Sequence, residues 1–347
     1  MNSQQLYPLV LISALLIWGG CQPSATTQAV PQEVNVYTHR HYDTDDALFR
    51  NFEAKTGIRV NVIKGGEDEL LNRLETEGAQ SPADVLITVD AGRLYRAQEK
   101  GLLQAVSSPV LQAQVPAHLR DPEGHWYGLT QRARVIVYHK TRVAPGAVKS
   151  YDDLADPVWK GKVLVRAAEN LYNQSLMAAL IEHKGDSGAL VWAQGVVANM
   201  ARDPKGNDRD QIKAVSAGAG DLALVNTYYI GLLLNSIMPE EREAAQAVGI
   251  VFPEQESQGT HVNISGAGVA RYAPHRENAV KLIEFLTAAE AQGTFASRNY
   301  EYPVNPAVPP AELLQSWGTF KADTLQLRVL GQRNRQATDI FAQAGWK

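Results

Sequence analysis

Cysteine is almost absent: Cys21 is the only one among 347 residues. No internal disulfide can form, so the folded part must be held together by its cores alone. The same scarcity removes CxxC metal or redox pairs, and no His-x-x-x-His pair or glycine-rich phosphate loop takes their place. Eight scattered histidines and no nucleophile elbow give no basis for a Ser-His-Asp hydrolase. The cluster Asp43-Thr44-Asp45-Asp46 lacks the glycine and distal glutamate of a calcium loop and reads as the charged start of a helix. Charge of one sign is also missing. A net charge of −4 with 45% hydrophobic residues is ordinary for a globular protein and carries no nucleic-acid footprint. After the first twenty residues no apolar stretch is long enough to cross a bilayer, so membrane contact falls to the N-terminus or to a partner.

What is present begins with the apolar run from Leu9 to Trp18, which is short for a permanent span and is followed at once by small residues and a cysteine. That is the layout of an export signal over residues 1–21. Gly19-Gly20-Cys21 resembles the lipobox of bacterial lipoproteins, which implies acylation of Cys21 as the mature N-terminus. Trp18 stands where a smaller aliphatic residue is usual, and no Lys or Arg precedes the run. Cleavage further along, near Ala29, to give a soluble periplasmic protein therefore stays open. Residues 22–32 read as a polar linker, and the remaining stretch of about 315 residues suggests two domains.

Strand-like runs alternate with helical patterns. Val34 to Tyr37, a helix over Asp46 to Thr56, and Arg59 to Ile63 form a βαβ rhythm, which predicts an α/β protein with largely parallel sheets. A helix over Glu67 to Glu77, a strand over Ala83 to Thr88 and a helix over Arg93 to Lys100 complete a first lobe. Arg134 to His139 reads as a linking strand. A second set follows: a strand at Lys162 to Val165, helices at Asn173 to His183, Gly188 to Met200 and Ile212 to Ala217, and a strand at Asp221 to Val225. Thr260 to Val269 reads as a second crossing strand, with an amphipathic helix over Asn278 to Leu286. The expected division is a first α/β lobe from residues 33–132 with about 262–300, and a second from 133–261 with about 301–347. Two crossings make a hinge, and a cleft between hinged lobes suits a small ligand.

Tyr228 and Tyr229 stand side by side at a strand-to-helix junction, where both can reach a cleft. A phenol keeps its proton to a pH of about 10, so it ligates a metal only when a hard, highly charged cation displaces that proton, as ferric iron does. On the dipeptide alone, one ring in a core and one at the surface is the plainer arrangement.

The stretches Thr38-His39-Arg40-His41-Tyr42, Gly78 to Val85, Gln131 to Val135, Leu171 to Ser175, Gly206-Asn207-Asp208 and Asn226 to Tyr229 carry a resemblance. Together they are similar to the ferric-iron-binding proteins of bacterial ABC importers, in particular the Fut-type branch known from cyanobacteria. The likeness runs from about Val34 to the terminal Ala344-Gly345-Trp346-Lys347 in the same order and spacing. It implies a two-lobed periplasmic binding protein fold of type II with a hinged cleft. It also implies ferric iron, Fe(3+), as ligand and an inner-membrane ABC permease with its ATPase as partners. The protein would be a monomer, and not an enzyme.

By that resemblance the metal-binding tyrosines fall on Tyr42 in the first lobe and on Tyr172, Tyr228 and Tyr229 in the second. In some members of the branch the equivalent of His41 joins the metal. Adjacent side chains on an extended backbone point to opposite faces, so His41 and Tyr42 can both bind only if the chain turns between them. His39 has no counterpart and reads as a surface or core histidine. Arg132 matches an arginine near the family's site, where its planar cation can offset the net −1 of four phenolates around Fe(3+). Leu232 stands where many of this branch carry an arginine, and one cation fewer favours the ferric over the ferrous ion. Two rivals remain at this point: a receptor for a polyamine or thiamine, with tyrosines stacking on the ligand, and an exported hydrolase using Tyr228 as nucleophile. The export segment generates the first prediction. Mass spectrometry of the mature N-terminus is expected to find a diacylglyceryl group on Cys21, whereas a chain beginning well beyond it would mean a soluble product.

Overall fold

The computed structural model describes residue 1, residues 32–40 and residues 42–347. The export segment with Cys21, the linker up to residue 31, and His41 lie outside the described residues. Among the described residues ten strands follow in chain order: β1 (Glu33–Thr38), β2 (Arg59–Lys64), β3 (Val85–Thr88), β4 (Leu103–Gln104), β5 (Tyr127–His139), β6 (Val163–Leu164), β7 (Leu222–Asn226), β8 (Val248–Val251), β9 (Val262–Ala270) and β10 (Tyr302–Pro303). Their main path runs β2-β1-β3-β9-β5-β7-β6. β1 pairs in parallel with β2 and β3, and β6 with β7, whereas every pairing of β5 and β9 is antiparallel. The expected largely parallel sheets are therefore mixed. The strands that travel between the lobes must enter each sheet against its βαβ direction.

β5 is shared between the two lobes. Its first half, Tyr127 to Ala133, pairs with β9, and from Arg134 onward it pairs with β7 and β8 instead. The strand starts seven residues earlier than the β-branched run suggests, because β9 supplies hydrogen-bonding partners for the more polar stretch through Gln131 and Arg132. As a result Arg132 is not a surface residue but is 2% exposed.

In the second lobe the strands are covered on both faces. Val135 and Val137 of β5 and Ala223 and Val225 of β7 enter one apolar cluster, while Ile136, Leu222 and Leu224 enter another. That period-two alternation with every β7 residue buried is what helices on both sides of a sheet require. The first helix, Asp43–Thr56, starts three residues before the expected position and buries Leu48, Phe49 and Phe52. Gly57 ends it in the left-handed conformation at φ 71°, donating its N–H to the Glu53 carbonyl at 2.8 Å. The two expected helices after residue 170 lie end to end as Leu171–Asn199, broken at Gly185, where φ 70° and ψ 169° interrupt the helical turn. Past residue 288 the helices Ala289–Asn299, Arg328–Gln332 and Asn334–Ala344 were not legible as separate elements. Arg328–Gln332 packs on both Ala91–Glu99 and Leu171–Asn199, so the C-terminal stretch touches helices that flank the cleft on either side.

Tyr151 clamps the crossing. Its buried hydroxyl donates to the Arg134 carbonyl at 2.6 Å and accepts from the His261 N–H at 3.2 Å, joining the two segments where they pass between lobes. Tyr151→Phe leaves a buried N–H and C=O without that partner. It is expected to cost about 1–3 kcal/mol, read as a lower denaturant midpoint at an unchanged slope.

Candidate metal centre

Four tyrosines reach one point from three helix starts. Tyr42 holds the N-cap position of Asp43–Thr56 with extended backbone, φ −86° and ψ 140°. Tyr172 is the second residue of Leu171–Asn199, its N–H received by the Asn170 side chain at 3.2 Å. Tyr228 and Tyr229 lie in the first turn of Thr227–Leu234, directly after β7. Peptide N–H groups at helix starts favour negative charge, so each position suits a phenolate better than a cation.

The Tyr172 and Tyr228 hydroxyls are 3.1 Å apart. Tyr42 and Tyr229 lie close enough to this pair to act on it electrostatically, so the four phenols form one buried cluster. The Tyr228 and Tyr229 rings lie 4.1 Å apart between centroids, tilted by 32°.

Burial is the largest cause holding all four phenols above their ordinary range. Tyr42 is pushed up to about 12, with Glu301 adding to the effect and Arg40 opposing it. Tyr172 is raised further by Tyr229 and drawn back by Arg132. Tyr228 lies well above the usual value because Tyr172, Tyr42 and Tyr229 surround it, and Tyr229 is raised next by the Asp208 carboxylate. At neutral pH all four carry their protons. Only a strongly charged cation repays their loss.

Arginines ring the cluster. Arg132, on β5 at the handover between lobes, has its guanidinium 5.4 Å from the Tyr172 ring. Its Nη2 donates to the Val89 carbonyl at 3.0 Å, while its buried Nη1 has no hydrogen-bond partner among the described residues. Arg166 and Arg134 stand 5.4 and 5.9 Å from the same ring. Both pair with Asp208, Arg134 Nη1 at 2.8 Å and Arg166 Nη1 at 3.3 Å, and the fully buried Asp208 also accepts the Asn226 N–H at 2.7 Å. Asp208 thereby absorbs much of the positive charge beside Tyr172 and Tyr229, while Arg132, 3.8 Å from Asp90, keeps its Nη1 without a hydrogen-bond partner among the described residues, as Arg134 does its Nε. Across the cleft, Asp90 accepts from Ser175 at 2.8 Å, linking Arg132's neighbour to the helix that carries Tyr172.

Leu232 is half-buried in the helix of Tyr228 and Tyr229. His39 turns its Nδ1 to the Gly65 carbonyl at 3.4 Å, and His41 lies outside the described residues. Among the described residues no group of three or more His, Cys, Asp or Glu side chains could hold a metal ion. Sequence reasoning missed Arg40, Arg134, Arg166 and Asp208. Three of these four lie inside motifs that had drawn attention, yet nothing local shows which charges pair across a fold.

A family model described as "Bacterial extracellular solute-binding protein" matches residues 80–320. The chain belongs to this family. Iron uptake protein A1 of Synechocystis is 51% identical over 98% of this chain and 96% of its own length. A solved Trichodesmium structure (IdiA, FutA) in complex with iron and citrate ligands superposes with a TM-score of 0.89 at 51% identity, covering 91% of this chain and 100% of that one. A ferric binding protein from Campylobacter jejuni gives 0.86 at 40% identity, covering 90% and 100%. This solute-binding protein is thus similar to two-lobed binding proteins over nearly all of its described length. Among its described residues no helix is long and apolar enough to cross a membrane.

Proposed function

We propose that this solute-binding protein captures ferric iron outside the cytoplasm through the phenolates of Tyr42, Tyr172, Tyr228 and Tyr229 and hands it to an ABC permease. The observation that carries the reading is the buried cluster of four phenols at three helix starts, with the Tyr172 and Tyr228 hydroxyls 3.1 Å apart and Tyr42 and Tyr229 acting on them electrostatically. Phenols gathered in this way become, on losing their protons, oxygens available to a single small, hard cation. Fe(3+) and four phenolates leave one negative charge, and the open Nη1 of Arg132 supplies a donor for it. Iron is the cargo here, so the protein is a transport receptor and not an enzyme. It works as a monomer with the permease and its ATPase as partners, in the periplasm, held at the membrane through Cys21 if that residue is acylated. His41 is a fifth candidate ligand, next in sequence to the buried Arg40.

A receptor for thiamine or a polyamine fits less well. Stacking on an organic cation needs free ring faces, and Tyr228 and Tyr229 already face each other at 4.1 Å.

Adding ferric iron is expected to colour the protein by phenolate-to-metal charge transfer. Tyr228→Phe with Tyr229→Phe keeps both rings and removes two oxygens, so the fold should persist while colour and ferric binding disappear. Unchanged affinity in that double variant would sink the site.

The sign of the pH dependence follows from the raised phenols. Each ligated tyrosine is protonated before binding, with Tyr42 near 12, and loses one proton on binding. Affinity should therefore rise with pH, and acid should release the metal. In weakly buffered solution the proton yield per iron should approach that of the four phenols, reduced by the protons that hydrolysed ferric ion has already lost. Tyr42→Phe should lower the yield by one, and an unchanged yield would remove Tyr42 from the set.

A further inference from the structure

Arg40 sits two residues before Tyr42 and is only 2% exposed. Its Nε and Nη2 donate to the two oxygens of Asp45 at 2.8 and 3.1 Å, and Nη2 and Nη1 donate to the two oxygens of Glu301 at 3.0 and 3.3 Å. Nη1 also donates to Ser265 Oγ at 2.7 Å and lies 3.4 Å from Thr130 Oγ1. Thr130 and Ser265 are directly opposed residues of β5 and β9, so the guanidinium is seated on a cross-strand pair of the two crossing strands. Its carbon lies 4.9 Å from the centre of the Tyr42 ring.

One carboxylate would neutralise a buried arginine. This one has two, from the helix after Tyr42 and from the residue before β10, and a phenol ring as well. The backbone is held on the same side by the Arg40 N–H to Thr38 Oγ1 at 3.0 Å and the His39 N–H to the Ile87 carbonyl at 3.1 Å. Arg40 and Asp45, on either side of Tyr42, are both anchored in this way.

We propose that Arg40 is a positioning residue for iron capture, fixing the Tyr42 phenol against the crossing strands and stabilising negative charge on its oxygen from the ring face. This rests on the reading of Tyr42 as a ligand. Lysine cannot replace the planar fork: its three donors cannot pair with both oxygens of two carboxylates at once, and its ammonium cannot lie flat on the ring.

The test is a double-mutant cycle on the full chain with ferric iron supplied as its citrate complex, using the parent, Arg40→Lys, Tyr42→Phe and the pair. Affinity is read by chelator competition, and the position of the charge-transfer band by absorption. Arg40→Lys is expected to weaken iron binding by about tenfold, as loss of a residue supporting a metal ligand does, and to move the band to longer wavelength. In the Tyr42→Phe background the same change should leave affinity and band nearly unaltered. An equal loss in both backgrounds would mean a general structural role, and parental behaviour of Arg40→Lys would mean none; either overturns the proposal. Should Arg40→Lys fail to fold by circular dichroism, Ser265→Ala takes its place, keeping every charge and removing the 2.7 Å bond that seats the guanidinium on the crossing strands. Its effect must run in the same direction and vanish without Tyr42, and any other result overturns the proposal. If Tyr42→Phe alone leaves affinity and band unchanged, the ligand reading fails first, and that outcome is distinct from a failure confined to Arg40.

Discussion

A buried phenol holds its proton more tightly than one in water, and a cluster of phenols tightens that hold on every member. The cleft is organised around this constraint. Tyr228 is enclosed by the other three tyrosines, and burial is the largest cause keeping each of them neutral. The Tyr172 and Tyr228 hydroxyls lie 3.1 Å apart and serve each other while both keep their protons. On the proposed reading selectivity is a consequence: a weakly charged cation does not repay the loss of several such protons, whereas a hard trivalent ion does.

The surrounding charges follow the same logic. Asp208 binds Arg134 and Arg166 and limits how much positive charge reaches Tyr172 and Tyr229, while Arg132 keeps a donor without a partner. Arg40 with Asp45 and Glu301 forms a second buried group on the Tyr42 side. Burial is the largest influence on Glu301 and raises its carboxyl, yet the Arg40 charge, the hydrogen bonds from Arg40 and Thr130 and the Arg132 charge together bring the net shift downward. Both groups are anchored on β5 or its immediate partners. The strand that passes between the lobes therefore also carries the electrostatic frame of the site.

That placement ties geometry to motion. β5 changes partners between Ala133 and Arg134, and the residues on either side of that change, Arg132 and Arg134, both face Tyr172. A ligand drawing Tyr42 toward Tyr172 and Tyr228 acts at the point where the two lobes hand over the strand. Differential binding to one arrangement of the lobes is what lets a partner sense the cargo.

Much of this was legible in the chain itself. The Tyr228-Tyr229 pair after an apolar run, the βαβ rhythm and the two crossings follow from residue type, period and local motif, which are properties of short segments, whereas Tyr42 and Tyr172 were singled out by the family resemblance. Where segments end was less legible: β5 starts at Tyr127 because β9 lies beside it, and the helix pair after residue 170 is one stretch broken at Gly185. The pairing of charges was decided by the tertiary structure alone. Arg40 meets Ser265 and Glu301 across 225 and 261 residues, and Arg134 meets Asp208 across 74. A guanidinium and a carboxylate attract at any separation along the chain, so sequence gives the candidates, and only the packed fold, by excluding water and fixing distance, selects which of them become partners.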